Sequence, residues 1–333
     1  MKGEKRLSRL ERTIGARSVL ILLIITQLLR MTISLFTSFV SIESSQSPFA
    51  QPDLYYTLVM LQEALIFGLP VFLFVYLLRP RYVPVLKGQM AFPSLSASMR
   101  TVFAAMLGLV MFELYATLWT VLLDMLGLKL IAPPIPLPNN GAQVILAVTA
   151  VAILPGVVEE LLFRGVLMEG LRRELPIKAA IGLTALLFAF MHGSIAALPV
   201  HVALGFILTL LAFRQGNLQL AMIYHFVHNA TSLVFCLYLR NVVQSIEVSA
   251  QTAEPATITA MLTGILPLLA VTTLGYVMLM RPLLTAPPKK ETAPAASELT
   301  DGKQRWFRGP VAILLVTLGL LMIPWFALEI LPL

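Results

Sequence analysis

Apolar residues along this chain are grouped into nine long segments, which are separated by short polar or charged stretches. A helix needs about 20 mainly apolar residues to cross a bilayer. The pattern therefore predicts an all-α fold, a polytopic transmembrane helix bundle of about nine spans. The predicted spans are residues 18–40, 56–78, 101–123, 142–164, 178–192, 195–213, 218–239, 257–280 and 310–330.

Composition supports this interpretation, because 58% of the residues are hydrophobic and only 12% are charged. An ordinary soluble domain carries about 25% charged residues. The first 17 residues are strongly charged, and the apolar segment after them is longer than the roughly 7 to 15 residues of a signal peptide core. We therefore expect a membrane-anchored start. The single cysteine, Cys236, excludes an intrachain disulfide.

The formal charge of +7 reflects topology rather than nucleic-acid binding, because the basic residues fall between spans in alternate loops. With the N-terminus in the cytoplasm, 21 of the 24 basic residues lie on the cytoplasmic side, as the positive-inside rule requires. The three others are Arg30, Lys129 and Arg240. No organelle-targeting signal is recognised, so a multi-pass protein of a bacterial plasma membrane is expected. Its expected surroundings are the lipid bilayer, with no nucleic-acid partner.

The spans suggest three regions. Residues 1–141 would hold spans 1–3, residues 142–240 a four-helix catalytic core of spans 4–7, and residues 241–333 spans 8–9. The stretch 282–309 is rich in proline, alanine and charge, which predicts a flexible linker to the last span.

The fourth span contains adjacent glutamates and an arginine at membrane depth, where ionisable groups are costly and usually functional. Glu160 and Arg164 are four residues apart with the acid first, the favourable order for an ion pair on one helical face. Glu159 is rotated by about 100° from Glu160 and faces elsewhere. We expect Arg164 to hold one carboxylate while the other meets water or a substrate.

Two further polar groups lie in the apolar segments that follow, at His192 and at His225 with Asn229. At about 1.5 Å per residue, the three groups lie some 16 to 21 Å from Arg172, Lys178 and Arg214 respectively, so we expect them to share one layer. A carboxylate, two imidazoles and a carboxamide in one apolar cavity suit hydrolysis of an acyl bond by water.

These residues resemble the CAAX-processing endopeptidase and bacteriocin-processing (CPBP) family of intramembrane proteases. Its motifs EExxxR, FxxxH and HxxxN stand in order at residues 159–164, 188–192 and 225–229. The resemblance covers about residues 142–240. It implies an intramembrane glutamic endopeptidase that acts on a membrane-associated protein or peptide substrate and uses no cofactor.

The resemblance also implies a role for each motif residue. Glu159 matches the catalytic base and His192 its partner in activating water. His225 and Asn229 match the oxyanion site. The residues that match the structural support of the site are Glu160, Arg164 and Phe188.

Other functions stay open at this point. A zinc metalloprotease would use Glu159, His192 and His225 as ligands, although the chain contains no HExxH motif. A non-proteolytic scaffold, immunity protein or transporter is the other alternative, although no internal repeat of the kind found in many transporters is present.

Five polar residues of the spans match no motif position. We expect the ionisable residues of the first three spans to pair with one another, and the two remaining histidines to be buried hydrogen-bonding residues. These residues are Arg30, Glu63, Glu113, His201 and His228.

Overall fold

The computed structural model describes residues 14–43, 51–79, 82–128, 135–251, 255–287 and 310–330. Within these ranges every regular element is a helix. The helices are α1 (Ala16–Glu43), α2 (Pro52–Leu78), α3 (Val83–Gly88), α4 (Leu95–Met125), α5 (Gly141–Leu171), α6 (Ile177–His192), α7 (Leu198–Gln215), α8 (Leu218–Gln251), α9 (Pro255–Leu284) and α10 (Pro310–Ile330).

The helices coincide with the nine predicted spans, so the all-α, polytopic fold is confirmed. Among the described residues, seven helices are long and apolar enough to cross a membrane. Two other apolar stretches are shorter, namely α6 and the part of α10 whose side chains are described, Val311–Ile323. Several predicted boundaries differ from the structure, because the helix of the third span begins at Leu95 rather than at residue 101 and that of the seventh continues to Gln251. The fourth span continues to Leu171, and the sixth begins at Leu198 rather than at residue 195.

Helix ends follow local sequence signals. The side chain of Asn140 accepts a hydrogen bond from the backbone of Gln143 at 3.0 Å, which caps the start of α5. Gly193 and Gly216 follow α6 and α7 with positive φ angles of 64° and 56°. Only glycine adopts this left-handed conformation without steric cost, so both helices end there.

The helices of the predicted catalytic core pack on one another and on α4. The most extensive contacts join α6 to α7 and α4 to both α8 and α9, while α5 packs on α8 and α10 packs on α1. One buried apolar cluster extends from Ile14 to Met322. Many large apolar side chains face outward, as expected for a surface surrounded by lipid. The division into three regions stays a prediction, and most of the predicted linker lies outside the described residues.

Two short π-helical segments interrupt α5, at Thr149–Ile153 and Leu161–Leu167. Between them lies Pro155, which has no N–H to continue the helical ladder. In the second segment the carbonyl of Gly165 accepts a hydrogen bond from the hydroxyl of Tyr82. Burial raises the pKa of this hydroxyl well above its usual range, so Tyr82 remains a donor. Such π segments are frequent at functional sites.

Candidate active site

The paired glutamates lie directly before the second π segment of α5 and are both buried. Glu159 is 5% exposed and Glu160 is fully buried. They face different neighbours, as the helical spacing predicts.

Glu160 forms an ion pair with Arg164 over 2.6 Å, and both side chains are inaccessible to solvent. Arg164 also donates from Nη2 to the carbonyl of Gly205 at 3.1 Å and from Nε to the hydroxyl of Thr209 at 3.2 Å. Each guanidinium nitrogen therefore has an acceptor, which a buried cation requires. These contacts fix α5 against α7.

His225 contacts the same carboxylate. Its Nδ1 lies 2.8 Å from Oε1 of Glu160, the oxygen that also accepts from Arg164. An ionised carboxylate only accepts, so Nδ1 carries the proton of this hydrogen bond. Nε2 is then the ring nitrogen of His225 that is left for other partners. Glu160 thus links the first and third motifs.

Glu159 faces His192 instead, with 4.0 Å between its Oε2 and the Nε2 of the histidine. This distance is too long for a direct hydrogen bond. Within the described residues Oε2 has no hydrogen-bond partner. His192 directs Nδ1 to the carbonyl of Phe188 at 2.8 Å. Because a carbonyl only accepts, Nδ1 is protonated, and Nε2 of the neutral ring presents a lone pair towards Glu159.

Phe188, the first residue of the second motif, is fully buried at the centre of the site. Its ring centroid lies 4.7 Å from that of His192 and 5.9 Å from that of His225. The guanidinium carbon of Arg164 lies 4.4 Å from the ring centroid, which is a cation–π distance. This one aromatic ring therefore contacts residues of all three motifs.

Asn229, one turn after His225, donates from its amide to the carbonyl of Val151 at 2.9 Å. Pro155 cannot donate to this carbonyl, which lies four residues before it. The proline of α5 thus leaves an acceptor that orients the amide of α8. The second N–H of this amide is directed elsewhere. Gly156 lets α8 approach closely, because an added Cβ would lie 3.2 Å from the backbone nitrogen of Phe226.

The first two spans also contribute to the site. Arg30 of α1 donates from Nη2 to the carbonyl of His192 at 3.2 Å. That carbonyl ends α6, since Gly193 turns the chain there. Arg30 also interacts electrostatically with Glu63 of α2 and with Glu159. The pairing of Arg30 with Glu63 stays a prediction, which this electrostatic interaction supports, whereas Glu113 lies on an exposed face of α4.

Three residues of α7 belong to the site although no motif identified them. Gly205 and Thr209 accept from Arg164, and the ring of His201 stacks on that of His192 with centroids 3.9 Å apart. The four-residue spacing of Gly205 and Thr209 on one helical face was the available signal. His228 instead packs on Phe112 of α4, and it is buried as predicted.

Comparison with protein families agrees with the motif analysis. Residues 141–231 match the family model described as type II CAAX prenyl endopeptidase Rce1-like. The matched segment contains all three motifs and is similar to the CAAX proteases. The resemblance predicted from the three motifs is thereby confirmed, and the match with the apolar helices supports an integral membrane protease. Comparisons with curated proteins and with solved structures found no significant match.

Metal binding is another chemistry that the side chains of this site could support. Within the described residues, no group of three or more histidine, cysteine, aspartate or glutamate side chains is arranged to hold a metal ion. One imidazole nitrogen of His192 and one of His225 already have hydrogen-bond acceptors. Each ring therefore presents only Nε2.

Proposed function

We propose that this protein is a glutamic endopeptidase that cleaves membrane-associated protein or peptide substrates inside the bilayer. The observation that carries the proposal is the 4.0 Å separation of Glu159 Oε2 and His192 Nε2, two acceptors directed at each other. A water molecule with its two protons donated to these atoms suits this distance. Its oxygen lone pairs then point away from both residues, towards a substrate.

In the proposed reaction Glu159 removes a proton from this water as its oxygen attacks the scissile carbonyl carbon. His192 accepts a hydrogen bond from the other proton, which stays on the attacking oxygen, and so orients the water. The tetrahedral intermediate collapses as the carbon–nitrogen bond breaks, and Glu159 returns the proton to the leaving amine. The products are a carboxylic acid and an amine, so neither an oxidant nor a metal ion is required for balance.

The developing oxyanion needs hydrogen-bond donors. Asn229 offers its second amide N–H, since the first is donated to Val151. His225 donates from Nε2 when it is an imidazolium, while its Nδ1 donates to Glu160. Glu160 thus acquires a role beyond its ion pair with Arg164, because it orients one of the oxyanion donors.

The family description suggests the first substrate to test, a peptide that ends in a prenylated CAAX sequence. We propose a cytoplasmic N-terminus and a bacterial plasma membrane as the location, from the placement of the basic residues. Leader peptides or other membrane proteins are substrates of the same chemical class, and an unbiased comparison of peptide ends in host membranes would find them.

The experiment compares the wild-type protein, Glu159→Gln and Glu113→Gln in detergent and in host membranes. Glu113 is a matched control, because it is a glutamate of a neighbouring span that lies on an exposed helix face. We expect Glu159→Gln to remain folded and to lose at least about 100-fold in kcat, within the range of general base catalysis. Glu113→Gln should cleave the same peptides as the wild type. Full activity of Glu159→Gln would exclude the mechanism.

A zinc protease that used Glu159, His192 and His225 as ligands would respond differently to a chelator. A ligand set of that kind would lose activity on chelator treatment and regain it with added Zn²⁺. A glutamic protease would retain activity after treatment and dialysis. A scaffold would retain its cellular effect in Glu159→Gln.

A further inference from the structure

We propose that His201 is a positioning residue, whose ring holds the imidazole of His192 in the orientation that directs Nε2 to Glu159. This inference rests on the proposed function, because it assigns His201 to the same water-activating pair. His201 lies in the first turn of α7 and stacks on His192 with centroids 3.9 Å apart and an interplanar angle of 24°. No motif position includes it.

The orientation of His192 requires more than its own helix supplies. The hydrogen bond from Nδ1 to the carbonyl of Phe188 fixes one ring edge at 2.8 Å. Such a bond still permits the ring to tilt about the bonded nitrogen. His192 is also the last residue of α6, so no further helical turn packs on it. Its side chain is 28% exposed, which is much more than the 6% of Glu159.

Two aromatic rings remove this remaining freedom. The ring of Phe188 lies 4.7 Å from His192 at 56°, and that of His201 lies parallel to its face. The centroids of Phe188 and His201 are 6.5 Å apart, so the two rings contact different sides of His192. Tilting the imidazole away from Glu159 would therefore separate it from one ring or collide with the other.

His201 acts through its ring face rather than through a nitrogen. Within the described residues its Nδ1 is buried without a hydrogen-bond partner, and the contact with His192 is a stack. A phenyl ring has the same planar face and lacks the nitrogens. Phenylalanine at this position should therefore preserve the function, whereas alanine should not. A stacked aromatic pair of this kind contributes free energy beyond the area that it buries.

The first test is independent of catalysis and uses the full chain labelled with ¹⁵N-histidine. The chain has four histidines, so single substitutions assign every ring signal. We expect wild-type His192 to give the ¹⁵N shifts of one tautomer, protonated at Nδ1. His201→Phe should retain these shifts, whereas His201→Ala should move them towards the average of exchanging tautomers. His228→Ala, a matched loss of a buried histidine that faces α4, should leave them unchanged. Unchanged His192 signals in His201→Ala would overturn the proposal.

The second test measures cleavage of the prenylated CAAX peptide or of the peptide found in host membranes. Misplacement of a catalytic group by about 1 Å costs up to about 100-fold in rate. We expect His201→Ala to lose about 10- to 100-fold in kcat with KM within about twofold, and His201→Phe to stay within about threefold of the wild type. Equal losses of kcat in both variants would overturn the stacking role and show that His201 acts through its ring nitrogens. If Glu159→Gln were as active as the wild type, the proposed function would be contradicted. The ¹⁵N shifts of His192 would still test the role of His201.

Discussion

Replacing Glu160 by glutamine is expected to destabilise the protein, whereas the same replacement of the adjacent Glu159 is not. Glu160 accepts from Arg164 at 2.6 Å and from His225 at 2.8 Å, and all three side chains are buried. Glu159 Oε2 has no hydrogen-bond partner among the described residues. The two substitutions are chemically identical and one residue apart, so each is the control for the other.

The magnitude follows from the contacts of Glu160. Glutamine retains an oxygen in the place of Oε1, which can accept both hydrogen bonds, but the bonds lose their ionic partner. A bond to a charged group contributes about 1.5–3 kcal/mol and a neutral one about 0.5–1.5 kcal/mol, so the mid-range values give a loss of about 2 kcal/mol for the two bonds together. Stranding a buried charge costs about 3–5 kcal/mol. We therefore expect Glu160→Gln to lower the free energy of unfolding by about 2–5 kcal/mol.

A double-mutant cycle separates the ion pair from general damage to the packing. Arg164→Met removes the cation, and the carbonyl of Gly205 still accepts from Thr209 at 2.7 Å. The variant that combines Arg164→Met with Glu160→Gln contains no stranded charge. Its loss should be smaller than the sum of the single losses by about 1–3 kcal/mol.

The assay is unfolding of the purified variants by a denaturing detergent in mixed micelles, followed by intrinsic tryptophan fluorescence. Activity is measured on the same preparations. We expect Glu160→Gln to be less stable and Glu159→Gln to be as stable as the wild type but inactive. Equal stability of Glu160→Gln and the wild type, or strict additivity in the cycle, would refute the structural role of the ion pair.

Three further predictions follow from the packing, the oxyanion site and the topology. Gly205→Ala is expected to lose about 1–3 kcal/mol of unfolding free energy, since its Cβ would lie 3.0 Å from the carbonyl oxygen of Ala185 on α6. Gly182→Ala, where no atom lies within 4 Å, should be neutral or stabilising in the same unfolding assay. Asn229→Ala should lower kcat by about 100-fold with KM little changed in peptide cleavage, since one oxyanion donor is removed; an unchanged kcat would contradict that role. Reporter fusions after residues 290 and 333 should report opposite compartments, and a shared compartment would show that the last apolar helix does not cross the membrane.

The sequence by itself was sufficient to predict the fold class, the approximate spans and the resemblance to the CAAX proteases, and the reason is physical. In a bilayer every backbone polar group must be bonded within the helix, so an apolar segment of sufficient length has one available structure. The motif residues could be found for a related reason, since charged and polar side chains are scarce at this depth and stand out. Helical periodicity then separated Glu160, on the face of Arg164, from Glu159.

Only the tertiary structure decided which residues complete the site. Arg30 contacts the carbonyl of His192 across 162 residues, and the ring of His201 stacks on the ring of His192, 9 residues away. No helical periodicity within one helix predicts either contact. The link between Glu160 and His225 joins α5 to α8 across 65 residues. These contacts depend on how closely helices approach, which is fixed by Gly156 and Gly205 and by the left-handed turns at the ends of α6 and α7. Sequence spacing predicts the face of one helix, whereas the packing of several helices determines which faces meet.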